Sequence, residues 1–173
     1  MGRAWFLRGL HGMKYLFPVL VGCVVLSGCT RDAVQAELNE RSGIPVAFER
    51  VASVNLSPLD TPTYRMIVDQ DSWTTAWSEL VAGRWPPAPP APSIDFESRV
   101  VLFVGAGSLP TQLLSFGVVD VRLRNGIVMV TVREEWPGSQ CGSLPVITRP
   151  VDIVTIPRLS SETEFLTERT SRC

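Results

Sequence analysis

The stretch from Arg99 to Pro157 constrains the fold more than any other part of the chain, because it holds four successive strand patterns. Each pattern is rich in β-branched and apolar residues: RVVLFVGAG, QLLSFGVVDVRLR, IVMVTVRE and VDIVTIP. In the second pattern Val119, Val121 and Leu123 alternate with charged residues, which predicts one buried face. Asn125-Gly126 favours a two-residue type I′ hairpin. We therefore predict a mainly β domain, built as an antiparallel sheet or a sandwich.

One helix is predicted to pack on this sheet. In the segment DSWTTAWSELVAG the apolar residues recur at helical spacing, with Asp71 as the N-cap and Gly83 in the left-handed position after the last turn. Trp73 and Trp77 then face the sheet as core residues rather than as an exposed ligand platform. Two strands are predicted before the helix, in PVAFERVASVNL and TYRMIVDQ. The proline-rich run 86–92 after it is predicted to be a surface loop, either a stiff spacer or a docking ligand with Trp85 beside it.

Composition excludes several classes of function. The chain has 173 residues, of which 45% are hydrophobic and 19% charged, which suits one globular domain. From Cys29 onward 13 arginines stand against 17 acids, a net charge of −4, so no basic surface for nucleic acid is expected. The only histidine is His11 and the only lysine is Lys14. If the first 28 residues are removed, histidine-assisted nucleophiles, histidine zinc sites and P-loops are excluded.

The N-terminal segment reads as an export signal of the lipoprotein type. Arg3, Arg8 and Lys14 precede an apolar run that is too short to span a membrane and ends in Leu-Ser-Gly-Cys. We predict a signal peptide at residues 1–28, lipid on Cys29, a polar tether at 29–43 and a β domain at 44–173. The alternatives are an ordinary signal peptide near a cysteine and a short surface helix within the tether.

The remaining cysteines predict a disulfide. Removal of the signal peptide discards Cys23 and lipidation consumes Cys29, so Cys141 and Cys173 are left in an oxidising compartment. Only one intramolecular pairing is then available. We expect it to tie the segment EFLTERT, a predicted strand, to the rest of the domain.

No catalytic, cofactor-binding or metal-binding constellation is predicted. The glycines at 105 and 107 do not form a dinucleotide-binding fingerprint, because Pro110 stands where the third glycine is required. Glu134 and Glu135 are neighbours on a predicted strand, so they point to opposite faces and cannot readily act on one atom. A carboxylate-based hydrolase would need two acids among Asp95, Glu97, Glu134 and Glu135 in one cleft, about 5–9 Å apart.

The run from Arg99 to Pro157 resembles the C-terminal domain of the protease complex subunit PrcB family. The matching pieces are VVLFVGAG, Pro110-Thr111, Ser115, VVDVRLRNGIVMVTVRE, Pro137-Gly138 and Thr148-Arg149-Pro150 before VDIVTIP; SWTTAWSEL and IDF also match. The family's Pro-Thr-Gly-Gly-Tyr loop corresponds here to Pro110, Thr111, Gln112, Leu113 and Leu114, which makes these residues the candidate partner-binding loop.

Together these features predict a non-enzymatic, lipid-anchored protein of the bacterial cell envelope, facing the periplasm or the exterior. The resemblance to bacterial lipoproteins implies that Thr30 after the lipidated cysteine, rather than Asp, favours the outer membrane in a cell with two membranes. The resemblance implies an accessory role in an extracytoplasmic protein complex, with an envelope protease as the partner. A protease-inhibitor-like binding domain and a carboxylate-based hydrolase are the alternatives.

Overall fold

A computed structural model of the protein describes residues 42–83, 89–142 and 145–173, all of which belong to the compact unit Glu37–Cys173. Eight strands and one helix follow one another along these residues. They are β1 (Ile44–Pro45), β2 (Glu49–Val54), β3 (Thr63–Ile67), α1 (Gln70–Val81), β4 (Arg99–Gly105), β5 (Ser115–Arg124), β6 (Ile127–Pro137), β7 (Val151–Pro157) and β8 (Glu162–Arg172). The predicted mainly β domain with one helix is confirmed.

The strands form two four-stranded sheets. The outer sheet has the order β1-β5-β6-β8 and the central sheet has the order β2-β7-β4-β3. The four strand patterns between Arg99 and Pro157 are therefore divided, two to each sheet. All pairs are antiparallel except β6 with β8, which run parallel. The predicted strand at EFLTERT is confirmed as part of β8.

The central sheet is buried on both faces. Even-numbered residues of β4 and β7, such as Leu102 and Val154, join the core cluster shared with the outer sheet. Odd-numbered ones, such as Phe103 and Ile153, join the cluster shared with the helix. This double burial is why β4 and β7 read as nearly unbroken apolar runs, whereas β6 alternates.

Helix α1 covers the far face of the central sheet through Trp73, Ala76 and Leu80, all buried. Its N-cap is Asp69, whose carboxylate accepts a hydrogen bond from the Ser72 N–H at 2.8 Å, so the prediction of Asp71 as N-cap was wrong by two residues. Gly83 has the predicted positive φ of 70°. Trp73 and Trp77 face the core cluster, as predicted.

The two tryptophans also hold the proline-rich segment against the helix. Their indole N–H groups donate to the carbonyls of Pro92 and Pro89, each at 2.9 Å. Residues 89–92 form no strand, in agreement with the predicted loop, whereas Trp85 and the start of the run lie outside the described residues.

The outer sheet contains the predicted hairpin and one departure from the predicted alternation. Asn125 and Gly126 both have positive φ, 51° and 78°, as a type I′ turn requires. A bulge between Val118 and Asp120 shifts the register of β5. Val118 is therefore buried and Val119 is 38% exposed, so the prediction that Val119 shares the buried face was wrong.

Candidate functional site

The disulfide between Cys141 and Cys173 closes the C-terminal end of the domain. The two Cα atoms are 5.7 Å apart, within the separation that a disulfide needs. Gly138 donates its N–H to the Arg172 carbonyl at 3.0 Å beside the bridge. The bridge therefore fixes the end of β8 to the loop that follows β6, as the cysteine count predicted.

The candidate partner-binding loop lies between β4 and β5 and is held by backbone hydrogen bonds on both sides. Leu109 and Thr148 exchange two bonds, at 2.8 and 3.0 Å, and the Thr148 hydroxyl donates to the Thr111 carbonyl at 2.9 Å. The Leu114 N–H donates to the backbone carbonyl of Glu135 at 2.8 Å. Gly107 has φ of 72°, and a Cβ there would approach the Pro62 nitrogen to 2.7 Å. These contacts tie the loop to Thr148 and to β6.

Three segments meet at this side of the sandwich, which we call the loop end: residues 55–57, 106–114 and 145–150. Leu113 of the predicted loop is buried, whereas Leu114 is 51% exposed. A cavity of about 70 Å³ separates the segments; its lining includes Asn55, Gln112, Leu113, Leu114 and Thr148. The predicted loop therefore forms one wall of a small cavity.

Exposed apolar side chains gather at the loop end. The described part of the chain has eight large apolar residues with substantial exposure, and four of them belong to this end: Leu56, Leu114, Val146 and Ile147. Sequence analysis identified only Leu114 among them. The sequence places Val146 and Ile147 in a loop flanked by Pro145, and that position was the only signal available for their exposure.

A second depression, which we call the edge cleft, lies between the edge strands β3 and β8. Its volume is about 440 Å³, and its walls include Tyr64, Ser108, Glu134, Thr167 and Arg169. Glu134 is only 4% exposed, and its Oε2 accepts hydrogen bonds from Arg169 Nε at 2.8 Å and from Trp136 Nε1 at 3.2 Å. Sequence analysis did not connect Glu134 with Arg169, because the two are 35 residues apart.

Among the four acids considered for hydrolysis, Asp95 and Glu97 line one depression, which Glu134 and Glu135 do not share. Glu134 faces the edge cleft, whereas Glu135 lies on the other face of β6, paired with Arg172 at 2.6 Å. Asp95 and Glu97 precede β4, whereas the edge cleft lies beyond the C-terminal end of that strand, about 20 Å away for a seven-residue strand. The Ser98 hydroxyl and the Glu97 N–H bond the Asp95 carboxylate and lower its pKa. Asp95 is therefore held ionised, which does not suit a general acid.

An ion pair between a buried carboxylate and a half-exposed arginine lies beside the loop end. Asp152 is 0% exposed; its Oδ1 accepts from Arg50 Nε at 2.7 Å, and its Oδ2 accepts from the Val118 N–H at 2.9 Å. The hydrogen bond to Asp152 raises the pKa of Arg50. A Cβ at Gly117 would approach Asp152 Oδ2 to 2.5 Å, so glycine is required there. This pair joins β2, β5 and β7.

Among the described residues no three histidine, cysteine or acidic side chains form a group that could hold a metal ion. Cys29 and the predicted signal peptide lie outside those residues, and no helix within them has the length and apolarity to cross a bilayer. Comparisons with protein-family models, curated proteins and solved structures each found no match. The resemblance to the PrcB family stays a prediction.

Proposed function

We propose that this chain is a non-enzymatic binding protein of the bacterial cell envelope, anchored by lipid on Cys29, and that its loop end meets a protein partner. The observation that carries the proposal is the gathering of Leu56, Leu114, Val146 and Ile147 in the three adjacent segments of that end. Single exposed apolar residues are ordinary on protein surfaces, but a cluster of them is typical of an interaction site.

The position of the chain entry supports this choice of surface. The described chain begins at Ser42, whose carbonyl accepts from Arg122, and β1 pairs with the end of β5 near the Asn125-Gly126 hairpin. The loop end lies at the other end of β5, about 30 Å away for a ten-residue strand. The predicted tether therefore joins the domain at the end of β5 that is opposite to the loop end.

Two further observations support a binding protein over a hydrolase. Glu134 and Glu135 lie on opposite faces of β6. Asp95 and Glu97 share a depression elsewhere, but there the Ser98 hydroxyl and the Glu97 N–H hold the Asp95 carboxylate. The buried carboxylates of Glu134 and Asp152 are both bound by arginines. The resemblance to the PrcB family suggests an envelope protease complex as the partner. The loop end also suits the alternative of a protease-inhibitor-like wedge, because its three segments lie side by side.

The test is photo-crosslinking in intact cells, with the crosslinking amino acid at Leu114 or at Ile147. Leu166 is the matched control position, because it is 44% exposed but lies on the outer face of β8. We expect one discrete adduct from the two loop-end positions, identified by mass spectrometry as an envelope protein and lost when Leu56→Glu is added. Equal labelling from Leu166 would contradict the assignment of the surface.

The anchor and the inhibitor alternative have separate tests. Lipidation adds about 0.8 kcal/mol of membrane affinity per buried CH₂, so two or three acyl chains hold a protein firmly. Cys29→Ser should abolish processing and release the chain from the membrane fraction, and mass spectrometry should find a diacylated or triacylated Cys29 peptide. The inhibitor alternative predicts inhibition of a papain-like protease that Leu114→Glu abolishes.

A further inference from the structure

We infer that the edge cleft is a binding site for a neutral, hydroxyl-rich ligand, namely a sugar residue of a glycan. The cleft volume of about 440 Å³ falls within the range of small-molecule sites, roughly 300–1,000 Å³. This inference does not rest on the proposed protein partner, because the cleft opens between β3 and β8 and shares with the loop end only residues 106, 108 and 109.

The first observation is an acceptor atom left open on a buried carboxylate. Both hydrogen bonds to Glu134 go to Oε2, from Arg169 and Trp136. Its Oε1 accepts none from the residues that the structure describes, although the side chain is only 5% exposed. Within the described residues the buried side-chain polar atoms without a partner are Arg99 Nε and Thr170 Oγ1, so Glu134 Oε1 reaches the solvent of the cleft, where it can accept a hydrogen bond from a ligand.

The second observation is a set of donors beside that oxygen. Arg169 uses only Nε to hold Glu134, and its side chain is 71% exposed, so its two terminal nitrogens are available to a ligand. Tyr64 and Thr167 share one hydroxyl–hydroxyl bond of 3.3 Å, and each hydroxyl can make another. The Ser108 hydroxyl makes no hydrogen bond within the described ranges and lines the same cleft.

The arrangement favours a ligand that both donates and accepts and carries no charge. Glu134 is paired with Arg169, and Asp60 on the opposite wall is paired with Arg149 at 2.5 Å. The charges of each pair cancel, so the cleft offers no net charge to attract an ion, whereas a hydroxyl group can donate to Glu134 Oε1 and accept from the free terminal nitrogens of Arg169. The apolar side chains of the lining are Pro62, Ala106 and Leu109, with the Tyr64 ring beside them.

The experiment uses the full chain, purified in a zwitterionic detergent because alkyl glycosides carry sugars themselves. An array of neutral mono- to tetrasaccharides supplies the probes, and titration calorimetry measures the affinity of any that bind. We expect at least one neutral saccharide to bind, and each of Tyr64→Phe and Glu134→Gln to weaken it about tenfold or more, the loss of roughly one hydrogen bond.

The control variant is Glu168→Gln, which removes one partner of the exposed Arg133 ion pair on the other face of β8 and should leave affinity unchanged. Tyr64→Phe keeps the ring that packs against Phe165 at 5.7 Å between centroids, so this variant tests the binding site even if Glu134→Gln fails to fold. Absence of binding to every neutral saccharide overturns the inference. So does binding that Tyr64→Phe leaves intact, or binding confined to charged saccharides or peptides.

Discussion

Removing Arg50 should damage the fold more than neutralising its partner Asp152. The carboxylate of Asp152 is fully buried, whereas the Arg50 side chain is 48% exposed. Arg50→Met leaves a negative charge between the sheets with the Val118 N–H as its only donor among the described residues, which should lower the free energy of unfolding by about 3–5 kcal/mol. Asp152→Asn keeps the shape and leaves Arg50 able to turn to water, so it should cost about 1–2 kcal/mol.

The double variant makes this reasoning refutable. Adding Asp152→Asn to Arg50→Met removes the stranded charge, so the double variant should be more stable than Arg50→Met alone by at least about 1 kcal/mol. Urea titration of the full chain at pH 7, followed by tryptophan fluorescence, measures the free energy of unfolding of the native protein, the two single variants and the double variant. For a domain of this size Arg50→Met should also lower Tm by about 10–20 °C. If Asp152→Asn destabilises the Arg50→Met background further, the account of a stranded charge is wrong.

Three more variants test separate parts of the fold. Cys173→Ser, or reduction of the native chain, should cost about 3–4 kcal/mol in urea titration, because the bridge spans 32 residues; an unchanged midpoint would contradict this. Gly117→Ala should lower Tm more than Gly126→Ala, since only position 117 lacks room for a Cβ against Asp152, and equal losses would refute the steric argument. Hydrogen bonds from the Ser72 N–H and hydroxyl lower the pKa of the Asp69 carboxyl in the folded protein below its unfolded value near 3.8. The ionised cap therefore stabilises the helix above pH 3.8, and this stabilisation is lost as the pH falls through the folded pKa. Asp69→Ala should therefore lower Tm at pH 7, and the loss should shrink as the pH falls below 3.8.

The sequence alone determined the elements whose signals are local. The spacing of apolar residues along a strand or helix indicates which of its faces is buried, and this spacing depends only on residues that are neighbours in the sequence. Asn125-Gly126 specified its turn because positive φ at both positions suits these two residue types. The disulfide followed from counting the cysteines that remain after the predicted export and lipidation. The N-cap was missed by two residues because Asp69 and Asp71 are both acceptable caps, and the backbone geometry at Asp69 decides between them.

Only the tertiary structure decided how the strands are shared between sheets. The apolar runs of β4 and β7 are compatible with burial on both faces, but the sequence does not say which layers cover them. The parallel pairing of β8 with β6 joins residues 35 positions apart, and no turn signal encodes such a pairing. Val119 is not on the buried face because a bulge shifts the register of β5 beside Val118, whose backbone bonds Arg50 and Asp152 from two other strands.

The candidate sites divide in the same way. The loop from Pro110 to Leu114 could be selected from its sequence, since its position between two strands is a local feature. The edge cleft could not, because its open carboxylate oxygen, its guanidinium and its hydroxyls come from strands that meet only when both sheets have formed. Polar residues on separate strands carry no sequence signal of convergence, and the distances between them are set by the packing of the two sheets.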